Sequence, residues 1–423
     1  MKNISFFIFN LLLINYLSFS KPVDEIKMID YIYHADVKTA LLYPASQPAP
    51  NAPLPPPIVS LTDPYPLLLA FDKFGSEVER FAVKIINCNH DWTVSQLNPV
   101  EYLHDYNEFY IRDREFSMNT KVRFTHYRFI VPMVKLSGNY VLKVYEENNE
   151  ENLILTRRFM VHENGATISS SLATVVGVEQ SFRNQQIDFS VSYNDYPVYT
   201  PQSQIKVMLR QNFRWDNAIT GLQPTFINDF DKRLDYRHFN FENNFKGGNE
   251  FRMFDIRNFM ARNLNVEFMN FAAVVNQAVL YTDKSRQGWA YSKMMEDMNG
   301  RFFIQNVLMQ NSNTDADYVN VTFTLKSANE EVGSVYVTGG FSEWQLTDDY
   351  KMTYLPEKQA YEKTILLKQG FYNYLYTLVD KTSKRDDVYW EGTHSRTENN
   401  YEILVYFRPL GFRSDLLIGY KLF

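Results

Sequence analysis

Tyr318-Val319-Asn320-Val321-Thr322-Phe323-Thr324-Leu325-Lys326 decides how the rest of the chain is read. Val319, Val321, Phe323 and Leu325 fall on one side of a period-two pattern, and Asn320, Thr322 and Thr324 fall on the other. Side chains alternate across an extended strand, so the stretch predicts one buried and one wet face, as in antiparallel sandwiches. Ile187, Phe189, Val191 and Tyr193 repeat the pattern, and so do Ile205, Val207 and Leu209, with Lys206, Met208 and Arg210 in register. Residues 140–145 and 153–161 predict a hairpin whose tip is the acidic segment 146–152, a solvated turn. No comparable stretch reads as an amphipathic helix, although 259–279 and 292–298 are ambiguous.

Composition points the same way. Tyr 29, Phe 33 and Trp 5 bring the aromatic share of 423 residues to 16%, and aromatic side chains favour the pleated surface of strands. Lys+Arg 43 against Asp+Glu 49 leaves a net charge of −6, with no basic excess to neutralise a nucleic-acid backbone. Cys88 is the one cysteine, which excludes an internal disulfide and any thiolate-rich metal site. It sits on an alternating run and is expected to be buried and inert.

Along the chain, Lys2 followed by the short apolar run 6–17 and Ser18-Phe19-Ser20 reads as a signal peptide over 1–20. Residues 44–66 hold more than half of the 17 prolines. Proline cannot donate to a ladder, so this segment predicts a stiff surface loop, with an extended ligand for a partner groove as the other reading. Polar seams near Glu163-Asn164-Gly165 and over 310–315 divide the remainder. The expectation is an all-β chain of three immunoglobulin-like or early-set β-sandwich domains in series: 21–163, 164–311 and 312–423.

Catalytic signatures are missing. His34, His90, His104, His126, His162, His238 and His394 have no metal-ligand spacing, and no nucleophile elbow, phosphate loop or dinucleotide fingerprint occurs. Residues 313–324 open like a calcium loop but place Tyr318 and Thr324 where glycine and glutamate are needed. No enzyme, metal or cofactor is expected.

Two resemblances carry more. Residues 334–344, with Gly340-Phe341-Ser342-Glu343-Trp344, and Gly370-Phe371-Tyr372-Asn373-Tyr374 resemble early-set modules of the glycogen-binding type. That likeness implies sugar stacking on Trp344, with Leu375 standing where those modules carry a lysine, and gives an exported glycan-binding protein as the alternative function.

The longer stretches resemble the type IX secretion system plug proteins. They include Ile86-Asn87-Cys88-Asn89-His90-Asp91-Trp92, Ser137-Gly138-Asn139-Tyr140 and Thr156-Arg157-Arg158-Phe159. Others are Arg214-Trp215-Asp216-Asn217-Ala218, residues 247–257, and residues 397–409 with 417–420. The resemblance implies a periplasmic protein of a Bacteroidota host, held peripherally at the outer membrane. It would bind and seal the periplasmic opening of a giant outer-membrane translocon β-barrel while no substrate passes. Candidate partner contacts are Arg214, Trp215 and Asp216, and Asn249, Glu250, Phe251 and Arg252, which follow Gly247 and Gly248; packing between domains is the leading reading of both clusters.

Overall fold

In the computed structural model, residues 25–46, 51–193, 196–261, 263–293 and 295–423 are described. The predicted signal peptide and residues 47–50 of the proline-rich segment lie outside them. Strand Tyr318–Lys326 sits inside a sheet, antiparallel to Ala360–Lys368 and parallel to Asn276–Leu280. Val319, Val321, Phe323 and Leu325 are wholly buried, as alternation requires.

Six sheets pair into three sandwiches. In the first, Asn149–His162, Gly138–Glu146 and Phe81–Cys88 centre one sheet, and Val37–Pro44, Leu67–Phe74, Phe124–Ile130 and Asp113–Phe116 form the other. Leu69, Phe71, Phe81, Val83, Tyr127 and Leu142 fill the space between. The expected hairpin turns at 147–148, and 149–152 already belong to strand Asn149–His162, where Glu150 pairs with Lys84 and Lys143.

The second sandwich pairs Thr167–Ala173, Asn184–Ser192, Arg233–Tyr236 and Phe226–Asn228 against a sheet of Ile219–Thr220, Ile205–Gln211, Tyr401–Phe407 and Leu416–Leu422. The third lies wholly between Lys246 and Tyr401: Gly370–Val379 anchors one sheet with Arg252–Asp255, Phe302–Ile304 and Ser334–Thr338, facing the sheet of Tyr318–Lys326. The expected limits of 164–311 and 312–423 therefore need correcting. The third sandwich takes strands from 252 onward, and the last two strands of the chain complete the second. Alternation identifies a strand but not its hydrogen-bond partner, and Ile205–Gln211 finds that partner in Tyr401–Phe407, far along the chain.

The ambiguous 259–279 stretch contains the hairpin Val266–Asn270 and Asn276–Leu280. Helix is confined, among the described residues, to short turns such as Pro99–Tyr102 and Ser312–Asp315.

Each sandwich packs on both others. Cys88, Trp92, Val141 and Met160 of the first meet Met208, Leu404, Tyr406 and Leu417 of the second in a dry seam. Burial there pushes the Cys88 thiol up to about 12. A thiol reagent should thus label Cys88 only as fast as this seam opens, because the thiolate is the reactive form. Fast labelling without denaturant would show the seam to be loose.

A three-way junction and an exposed rim

The joint between the first and third sandwiches is built on Asp72, whose side chain is fully buried. Its carboxylate accepts from Lys368 at 2.6 Å, pairs with His126 at 2.7 Å and accepts from the Tyr318 hydroxyl at 2.7 Å. Burial pushes the Asp72 carboxyl up, and Lys368 and His126 outweigh it, so the group stays below its ordinary range.

Between the second and third sandwiches the ions are Arg214, Asp216, Arg385 and Asp387. Arg214 reaches Asp216 at 2.6 Å and also pairs with Asp387, while Arg385 pairs with Asp216 at 2.9 Å and Asp387 at 2.7 Å. Desolvation raises the Asp387 carboxyl, and the two guanidiniums more than reverse it, leaving it well below the usual carboxylate range.

The candidate contact residues lie inside these joints. The Trp215 ring is held between Arg210 at 3.9 Å and Arg158 at 4.5 Å, and meets Trp92 edge-on at 4.9 Å. Asn249 donates to the Glu391 carbonyl, and buried Glu250 accepts from the Tyr291 hydroxyl at 2.6 Å. Phe251 packs against Trp344, and Arg252 holds Glu391 at 3.0 Å and Asp283 at 2.7 Å. Gly247 is needed for close approach, since a Cβ there would lie 2.0 Å from the His394 carbonyl oxygen. These side chains are occupied by intramolecular partners. Of the two readings the sequence offers, packing between sandwiches fits these contacts, with Arg214 and Arg252 meeting acids that are distant in the chain.

Trp344 is likewise covered. Arg214 lies 4.0 Å over its ring, and a Cβ at Gly300 would approach the ring to 2.5 Å. That side is closed to a sugar, while the rest of the half-buried ring borders the cavity between the sandwiches.

An apolar rim lies uncovered at the first–third joint. Phe116, Met118, Phe271, Val274, Leu308 and Met309 are exposed, with Val274 at 91%. They are brought together by the Met118 amide donating to the Thr314 carbonyl at 3.0 Å and by Lys121 donating to the Ala273 carbonyl at 2.9 Å. Sequence reasoning missed this rim, because its parts come from separate turns and strand edges. No group of three or more His, Cys, Asp or Glu among the described residues is placed to hold a metal ion.

Residues 37–163 match the family model described as "Type 9 secretion system plug protein 1st domain". Over nearly its whole length the chain is similar to the crystal structure of a hypothetical protein from Parabacteroides merdae. The two share 33% identity with a TM-score of 0.87, covering 94% of this chain and 100% of that one. No curated protein matches.

Proposed function

Because this chain belongs to the type IX secretion system plug protein family, we propose that it binds the periplasmic opening of the outer-membrane translocon β-barrel and seals it between substrates. The supporting observation is that the sandwich matching the plug domain is joined to both others through buried ions and apolar contacts. A pore cover has to keep its shape when free, and three mutually braced sandwiches do so without any catalytic group. Ordinary inter-domain contacts permit motion unless they are large and apolar, and the Cys88–Leu404 seam is apolar. The place of action is the periplasmic face of the outer membrane, reached through the translocon. No helix among the described residues is long and apolar enough to cross a membrane.

The grip is assigned to the exposed rim rather than to the Arg214 and Arg252 clusters. Methionine and aromatic side chains left in water at a rigid edge suit an adaptable apolar partner. Pull-down from solubilised outer membranes should return a very large barrel with the parent chain. A Met118→Asp, Val274→Asp variant should keep its stability and lose the barrel, since a true anchor contributes at least about 2 kcal/mol. Recovery of no barrel by the parent chain rejects the plug reading. Undiminished recovery by the variant rejects the rim.

A further inference from the structure

We propose that the cavity where the three sandwiches meet binds a small organic carboxylate with an apolar body. The cavity measures about 200 Å³ and is walled on one side by Pro53–Ile58 and on others by Phe213, Trp215, Phe302 and Trp344. Arg157, Arg158, Arg210 and Arg301 also line it. Three of these guanidiniums have carboxylates: Arg158 pairs with Asp30 at 3.0 Å, Arg210 with Glu402 at 2.7 Å and Arg157 with Glu343 at 3.4 Å.

Arg301 has none within ion-pair distance among the described residues. Its Nε donates to the Met298 carbonyl at 3.2 Å, its plane lies 4.7 Å from the Phe213 ring, and its terminal nitrogens have no hydrogen-bond partner there. The Arg210 side chain is 3% exposed, and its Nε is buried without a partner. Both guanidiniums draw on one carboxylate, Glu402, so one positive charge at the cavity is uncompensated.

The half-buried Arg301 guanidinium has no carboxylate of its own, and an entering carboxylate would pair with it through charge-assisted hydrogen bonds. A single excess charge favours a monoanion. The apolar walls set the rest of the ligand, and a dry cavity of roughly 150 Å³ already accepts benzene. A phenyl or branched aliphatic acid therefore fits. Such a group could arrive as a free acid or as the C-terminal residue of an extended peptide.

The test uses the full chain and three probes: 3-phenylpropionate, its uncharged amide, and the peptide Gly-Gly-Phe with a free C-terminus. Trp215 and Trp344 line the cavity, so their fluorescence should change saturably with at least one carboxylate and not with the amide. Arg301→Gln should weaken binding at least about tenfold, the scale of a hydrogen bond to a charged group, and Arg301→Lys should restore part of it. Preference for the free acid or for the peptide identifies the source. Absence of saturation with both carboxylates, or equal binding of the amide, overturns the proposal, and neither outcome depends on a variant folding. Barrel pull-down is a separate readout, so failure here leaves the plug reading standing.

Discussion

Lys368→Met should cost the protein about 3–5 kcal/mol, the usual penalty for leaving a buried charge without its partner. Lys368 and Asp72 have side-chain exposures of 1% and 0% and lie 2.6 Å apart, so water cannot replace the lost cation. His126 and Tyr318 remain on Asp72, but one donates through a ring nitrogen and the other through a neutral hydroxyl. The double variant Asp72→Asn, Lys368→Met should regain much of the loss, since removing both charges removes the desolvation penalty as well. Denaturant midpoints of the parent, each single variant and the double variant measure this directly. The pH dependence follows in sign. The folded Asp72 carboxyl is depressed, so its contribution is complete above the ordinary aspartate range and is lost as pH falls through the folded value. A single-variant loss below about 1 kcal/mol would mean that the pair behaves as a solvated surface bridge.

Trp215→Ala should be nearly as damaging, at about 3–5 kcal/mol, for a different reason. Its indole fills the seam between the first and second sandwiches, stacked by Arg158 and Arg210 and edge-on to Trp92. Truncation enlarges the cavity that the ring already borders and strips two guanidiniums of their ring contact. Cys88 belongs to the same cluster, so the variant should also react faster with thiol reagents. Refolded Trp215→Ala protein should still retain the barrel, because the ring faces an internal joint. Normal stability together with lost barrel binding would instead return Trp215 to the contact surface.

Much of this was legible in the sequence, and the shortfall has physical causes. Alternation at 319–325 and 187–193 marked true strands, because burial on one face writes a period of two into the residues themselves. The crowding of charge and rings at 214–216 and 249–252 marked true points of convergence. Packing was one of the readings they allowed, but the acids they meet were not legible: Asp387 is 173 residues from Arg214, and Glu391 is 139 from Arg252. Asp72 and Lys368, separated by 296 residues, had no local signal at all. The same holds for the last two strands, whose place in the second sandwich depends on hydrogen bonds to Ile205–Gln211, far away in the chain. The exposed rim escaped for a related reason: single exposed Met or Phe residues are ordinary, and only their assembly at one joint makes them a patch.

Capping itself is tested most directly by conductance through the purified translocon barrel in a planar bilayer. Added on the periplasmic side, the parent chain should close the open channel, and the Met118→Asp, Val274→Asp variant should not. Conductance that stays open in saturating parent protein, applied from either side, contradicts capping.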